Sequence, residues 1–275
     1  MPELPETETI ARDLDRAVSG ERIVGVAVTR GDVLRETTPE QLSERLVGAT
    51  ITRCWRRAKL VVIDLSTGDR LVVQPRFTGA LLIDDGGLPA HERLYSTLAL
   101  QLGDGRALHY RDIRRLGTVA LMGPERWRAY TATYGVEPLD AAFTPEQLSV
   151  ALRGSTQAVK KLLMDQRRIA GIGNIYANEA LWRAGIDPSR PGRSLRADEI
   201  AALHTAITSV LREAIAARGT SFRDYRDASG ERGRFADSLA AYGRGGLPCP
   251  RCGARLVATD AIDGRATVFC ARCQR

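Results

Sequence analysis

Two short stretches of this 275-residue chain hold residues whose types and spacing could do chemistry, and they lie at its opposite ends. The first is Met1-Pro2-Glu3-Leu4-Pro5-Glu6. Proline at position 2 is small enough for the initiator methionine to be removed, leaving a free secondary amine beside the Glu3 carboxylate. A chain-terminal amine titrates near about 7.7–8.0 and lysine near about 10.4, so the terminal amine is neutral, and nucleophilic, roughly a hundredfold more often at neutral pH. Such an amine can attack an electrophilic carbon and form an iminium (Schiff base), while a carboxylic acid alongside protonates the group displaced. While Met1 remains, Pro2 is an amide and has no activity of this kind. A chain that simply begins Met-Pro is the alternative.

The second stretch is Cys249-Pro250-Arg251-Cys252 with Cys270-Ala271-Arg272-Cys273, a C-x2-C-x17-C-x2-C pattern. Four thiolates in two close pairs can meet at one tetrahedral Zn2+ with a structural role. Disulfides are disfavoured in a cytoplasmic chain without a signal sequence. Between the pairs, Asp263-Gly264 carries the signal of a two-residue hairpin turn, which puts Arg265 at or near a hairpin tip. Cys54 is left over and reads as an ordinary buried cysteine. A weaker candidate is Ala170-Gly171-Ile172-Gly173-Asn174, where two glycines precede a helix. Its first N–H groups could hold a phosphate with Lys160 supplying a cation, or the glycines could serve the turn sterically.

These residues need elements to position them. Residues 7–20 place Ile10, Leu14, Ala17 and Val18 on one helical face, and Gly20 stops the helix. From 22 to 122 the pattern changes to eight short β-branched runs separated by turns such as Ser66-Thr67-Gly68-Asp69 and Gly103-Asp104-Gly105, which predicts an antiparallel sandwich or barrel. Residues 123–140, with Pro124, Gly135 and Pro138, interrupt the pattern. Helices then follow over 144–153, opened by the capping signature Thr144-Pro145-Glu146-Gln147, and over 158–168, 174–184 and 197–218. Residues 218–235 have little periodicity and read as either a disordered connector or a functional lid.

The net charge of +7 points toward a polyanionic partner. Only three of the 40 basic residues are lysine (Lys59, Lys160 and Lys161), which marks those three for roles that need a compact ammonium group. No apolar run reaches the length of a membrane helix and no hydrophobic signal core is present, so a soluble, cytoplasmic protein without membrane contact is expected. It is also expected to be a monomer.

The stretches MPELPETETI, RRAKLVVIDL, YRDIRRLG, VKKLLMDQRRIAGIGNIYANEAL and YGRGGLPCPRCG…FCARCQR resemble, in the same order, those of the bacterial formamidopyrimidine-DNA glycosylases, a family that also contains endonuclease VIII. The resemblance implies an α+β multidomain protein. An N-terminal catalytic β-sandwich with a flanking helix spans 1–130, a helix–two-turns–helix domain with a lesion-recognition loop spans 131–236, and a zinc-finger β-hairpin spans 237–275. It also implies a bifunctional glycosylase and abasic-site lyase of base excision repair. Such an enzyme removes oxidised purines (8-oxoguanine, formamidopyrimidines) from double-stranded damaged DNA through a Schiff base on the N-terminal proline, followed by β,δ-elimination. In a bacterium it would be nucleoid-associated.

By the same resemblance Pro2 is the nucleophile, Glu3 the acid that assists ring opening and Glu6 a supporting carboxylate. Lys59 acts at a phosphate and in β-elimination, and Arg265 at a phosphate in δ-elimination. Lys160, Asn174 and Tyr242 contact phosphates. Phe77, Arg114 and Leu116 fill the gap left by a flipped base. Phe77 stands where the family usually has methionine, and Leu116 where it usually has phenylalanine. An endonuclease VIII-like preference for oxidised pyrimidines and a non-catalytic zinc-hairpin DNA-binding protein are the alternatives.

Overall fold

The computed structural model describes residues 2–222 and 224–275, so Met1, whose removal is expected, and Arg223 lie outside the described residues. The chain forms two compact units, Met1–Ala132 with Ala217–Arg234, and Thr133–Ala216 with Phe235–Arg275. The loop that follows the last long helix in sequence thus packs with the first unit.

The first unit opens with α1 (Leu4–Val18) and continues through β1 (Ile23–Val28), β2 (Leu34–Arg35), α2 (Pro39–Leu46), β3 (Ile51–Arg57), β4 (Leu60–Leu65), β5 (Arg70–Gln74), β6 (Gly79–Asp84), α3 (Ala90–Arg93), β7 (Ser96–Leu102), β8 (Ala107–Asp112), β9 (Thr118–Met122) and α4 (Pro124–Thr131). Eight strands occupy the eight β-branched runs. Together with the short extra strand β2 they are ordered β1-β7-β8-β6 in one sheet and β2-β9-β5-β4-β3 in the other. Every pairing is antiparallel except the short parallel contact of β2 with β9.

One core joins the two sheets. Val61, Ile63, Leu65, Leu71, Val73, Val119 and Leu121 come from one, and Leu81, Leu98, Leu100, Leu102, Leu108 and Tyr110 from the other. Their i, i+2 spacing is the signature of strands that bury one face, and each such side chain contributes about 1.5–3 kcal/mol when buried. Ile10, Leu14 and Val18 of α1 enter the same core. That helix begins three residues earlier than its apolar spacing predicts, because the Glu3 N–H donates to Glu6 Oε2 at 2.8 Å and Pro5 sits in the first turn. Helix α2 repeats at Thr38-Pro39-Glu40-Gln41 the signature that marks the helix after Thr144.

The second unit contains α5 (Pro145–Leu152), α6 (Val159–Met164), α7 (Asn174–Ala184) and α8 (Ala197–Ala216), then β10 (Val257–Thr259) and β11 (Thr267–Phe269). Helix α6 is shorter than the predicted 158–168. The chain turns at Asp165, whose carbonyl accepts the N–H groups of Arg168 and Ile169. The hairpin also departs from expectation. Thr259 pairs with Thr267, so the loop between β10 and β11 covers residues 260–266 and is not a two-residue Asp-Gly turn. Gly264 takes a positive φ of 73° there and donates to Asp260. The longer loop is held by side chains from α6 and α7.

Candidate active site and metal centre

At the N-terminus, Pro2, Glu3 and Glu6 are all buried. The Glu6 carboxylate is divided between two backbone groups, with Oε2 accepting from Glu3 N and Oε1 from Thr220 N at 2.7 Å. Residue 220 belongs to the loop 217–234, so one side chain ties that loop to the residues expected to react. The Thr7 hydroxyl donates to the Glu3 carbonyl, and Tyr225 Oη donates to that of Glu6. Gly219, at φ 85°, lies so close to Glu6 that a Cβ would come within 2.9 Å of its Cγ. The stretch 218–235, which sequence alone leaves between disordered connector and lid, is therefore a hydrogen-bonded strap over its described residues.

Lys59 sits with Ala58 in the two-residue turn between β3 and β4, where Arg57 pairs with Leu60. Ala58 is buried with φ 53°, a left-handed conformation that side chains resist. Arg56 braces the turn by donating to the Ala58 carbonyl and, at 2.8 Å, to Glu8 of α1. The sequence marks Lys59 by its rarity but gives no sign of the Arg56–Glu8 bridge that fixes its turn to α1.

The three expected wedge residues lie on two neighbouring loops of the sandwich. Phe77 is 46% exposed and Leu116 is 40% exposed. The Arg114 guanidinium lies over the Phe77 ring, 5.2 Å from its centroid. Asp112 organises both loops. It accepts from the Thr78 hydroxyl, the Gly117 N–H and Tyr110 Oη, and Thr78 in turn accepts from Arg114 N. Burial, with Asp112 alongside, pushes the Tyr110 phenol well above its ordinary range. A Cβ on Gly117 would fall on that phenol oxygen.

In the second unit Lys160 is wholly buried. Its Nζ donates to Thr267 Oγ1 at 2.7 Å and lies 3.3 Å from Asp263 Oδ1. The cation expected at a phosphate is thus engaged by the hairpin loop. Asn174, the first residue of α7, donates to the Ala266 carbonyl, which also accepts from Asn178. Asn178 Oδ1 accepts the Val268 N–H at 2.7 Å. These contacts hold the exposed Arg265 at a cleft of about 440 Å3 that Lys161, Arg167 and Arg168 also line. Gln166 staples the turns before α7, donating to Met164 and Ile172 and accepting from Gly171.

Tyr242 is placed by a residue that carries no sequence signal. Glu179 of α7 is fully buried and accepts the N–H groups of Ala240, Ala241 and Tyr242 at 2.8–2.9 Å. Burial raises its carboxyl above the usual carboxylate range, against the three N–H groups that favour the charged form.

The four cysteines converge. Their sulfurs all lie within 4.8 Å of one another, and none is in a disulfide. A tetrahedral Zn2+ with Zn–S bonds of about 2.3 Å places its sulfurs about 3.8 Å apart, so the set fits a closed structural site. Each pair forms the same knuckle: Gly253 N donates to the Cys249 carbonyl, and Cys273 N and Gln274 N to that of Cys270. Burial opposes ionisation of Cys249, but the backbone N–H groups of Arg251 and Cys252 favour its thiolate and bring it down to about 6. Arg251 stacks on Trp182 and donates to the Trp182 and Arg183 carbonyls, fastening the zinc module to the end of α7. Cys54 stands apart, buried, with its thiol pushed up by burial. Among the described residues no helix is long and apolar enough to cross a membrane.

Comparison with known proteins agrees over the whole chain. Residues 1–119 match the formamidopyrimidine-DNA glycosylase N-terminal domain, 134–226 the formamidopyrimidine-DNA glycosylase H2TH domain, and 246–275 the zinc finger found in FPG and IleRS. A formamidopyrimidine-DNA glycosylase of Roseiflexus sp. is 43% identical over 276 residues, covering all of both chains. One from Chloroflexus aggregans is 43% identical over 274 residues, covering 100% of this chain and 98% of its own. Among solved structures, a Lactococcus lactis FPG mutant in complex with Fapy-dG containing DNA superposes with a TM-score of 0.92 at 33% identity, with full coverage of both chains. The wild-type Lactococcus lactis protein, in complex with DNA containing an oxidised pyrimidine, superposes with a TM-score of 0.91 at 32% identity over the same coverage. With all three family segments present in order and full-length relatives above 40% identity, this chain belongs to the formamidopyrimidine-DNA glycosylase family.

Proposed function

We propose that this chain is a base excision repair enzyme, a bifunctional DNA glycosylase and abasic-site lyase that removes oxidised purines such as 8-oxoguanine and formamidopyrimidines from duplex DNA. We divide it into residues 1–130 for catalysis, 131–236 for gripping the duplex and sensing the lesion, and 237–275 for the zinc finger, and expect it to act as a monomer at the bacterial nucleoid. The observation that carries the reading is the N-terminal arrangement, in which Pro2 is followed at once by a buried Glu3 whose backbone is fixed by Glu6.

Once Met1 is removed, the Pro2 nitrogen attacks C1′ of the everted nucleotide. The new N–C1′ bond replaces the bond to the base, which leaves with a proton. Glu3 donates a proton to O4′ as the sugar opens to the iminium. Loss of a C2′ proton then expels the 3′-phosphate, a further proton loss expels the 5′-phosphate, and water releases the sugar fragment from the amine. Lys59 serves the first elimination and Arg265 the second, each at a phosphate. Phe77, Arg114 and Leu116 occupy the space of the flipped base, for which exposed apolar side chains beside a cation are suited. Asn174 and Tyr242 contact phosphates, and Lys160 serves the same site by holding the loop that carries Arg265. The zinc supplies no reaction chemistry; Cys249, Cys252, Cys270 and Cys273 would hold it to stiffen the hairpin.

Oxidised pyrimidines as further substrates are a second reading, favoured by the Lactococcus lactis relative in complex with such DNA. Borohydride trapping of the mature protein on duplexes with 8-oxoguanine, an oxidised pyrimidine or an abasic site tests both. A covalent adduct on the 8-oxoguanine duplex is expected, and none on any duplex with Met1 confirmed absent overturns the enzyme.

A further inference from the structure

Among its described residues the loop 217–234 is fastened to α1 at the expected active site through Glu6, and also further along the helix. The contact further along is an ion triad. Arg218 donates through Nη2 to Asp13 of α1 and through Nε and Nη2 to Asp227 in the far limb of the loop. The two carboxylates are buried, with side chains 8% and 0% exposed, whereas Arg218 is 41% exposed. Asp227 organises that limb. Its Oδ1 accepts from Ser229 N and Glu231 N, and its backbone N–H donates to the Glu231 carbonyl. The adjoining Ala228 carbonyl accepts from Ile83 of β6. Arg218 reaches both partners from a left-handed backbone, φ 61°, followed by Gly219 at φ 85°. A non-glycine residue in that region is held there by its surroundings.

We infer that Arg218 is a positioning residue: its bridge between Asp13 and Asp227 sets the loop 217–234 against the helix that presents Glu3, and so sets how the everted base is received. The inference rests on the glycosylase reading, because it assigns the loop to base release. Arg218 donates to one oxygen of each buried carboxylate, with Nε and Nη2 sharing Asp227 Oδ2, and such charge-assisted hydrogen bonds are roughly twice as strong as neutral ones. Strand cleavage at a preformed abasic site needs the Pro2 amine but no base in the pocket, so it should be indifferent to the clamp.

Arg218→Gly removes the guanidinium while suiting the positive φ, and Asp13→Asn takes away the helix-side charge that Arg218 shares with Arg16, with little change of shape. Both should raise amide hydrogen exchange within 217–234 in the DNA-free protein while leaving the rest of the sandwich protected. Both should lower kcat/KM for excision of the oxidised base about tenfold, the loss of one charge-assisted hydrogen bond, with abasic-site cleavage and borohydride trapping there unchanged. Arg218→Lys, which keeps charge without the fork, should restore part of the excision rate. Unchanged exchange, exchange spread across the whole first unit, or equal loss of both activities overturns the inference. A wild-type protein that excises no oxidised base would overturn the glycosylase reading instead, and the exchange measurement would still decide the clamp.

Discussion

At the C-terminal end four thiolates arrive as two pairs, each closed by backbone bonds spanning three or four residues, and the metal has only to join two knuckles. At the N-terminal end the local bond from Glu3 N to Glu6 is joined by bonds from distant parts of the chain. Glu6 holds Thr220 across 214 positions of sequence, and Arg218 holds Asp13 across 205. The first site is ordered by one strong ligand field and the second by several charge-assisted hydrogen bonds, each individually weaker. The zinc site should therefore fail as a whole when one ligand is lost, and the N-terminal site should fail by degrees.

The largest effect should come from Cys270→Ser, since Cys270 is the fully buried ligand. Structural zinc sites carry an apparent binding free energy of about 10–16 kcal/mol, comparable to the whole stability of a typical domain. The zinc content should fall from one per chain to none by metal analysis. Amide protection should vanish across 246–275 and DNA binding should be lost, while the β-sandwich keeps its protection. A metal-free variant that binds DNA normally would remove the contrast.

The same contrast governs what the sequence reveals. The cysteine pattern, the helix 174–184 and the eight β-branched runs are each specified by residues close in sequence, and all are found where the spacing puts them. Glu179, Asn178 and the Arg56–Glu8 bridge carry no local signature, because their chemistry is created by partners brought together in folding. Asp263-Gly264 misleads for a related reason. A strong turn dipeptide is overridden when Lys160, Asn174 and Asn178 converge on the Ala266 carbonyl and hold the loop open. The fold was largely legible; Pro2, Glu3 and Lys59 could be singled out from their own chemistry, the other expected site residues largely through family resemblance, and the residues that hold them in place hardly at all.

An intermediate effect is expected for Glu6→Gln. The amide keeps one neutral acceptor, so either Glu3 N or Thr220 N is left without its bond, at a cost of about 1.5–3 kcal/mol. Hydrogen exchange should show faster opening at Thr220, and the melting temperature should fall modestly without loss of zinc. Loss of zinc in this variant, or an unchanged Thr220 amide, would break the separation between the two ends.

The smallest effect is pH-dependent and asks how much of the C-terminal order is independent of metal. Arg190 donates both to Glu199 and to the Arg275 carbonyl, two residues beyond the last cysteine. The Glu199 carboxyl is held down to about 2 from an ordinary 4.5, first by its hydrogen bonds from Arg190. A depressed carboxyl stabilises the fold above its unfolded value and loses that contribution as pH falls through the folded one. The difference in urea stability between the wild type and Glu199→Gln should therefore be constant above about pH 5.5 and shrink toward zero as the pH approaches 2. Thiolate protonation and zinc release occur in both proteins and cancel in the difference. A gap that instead closed along with zinc release would mean that the Arg190 link has no strength of its own and that the metal alone orders this end of the chain.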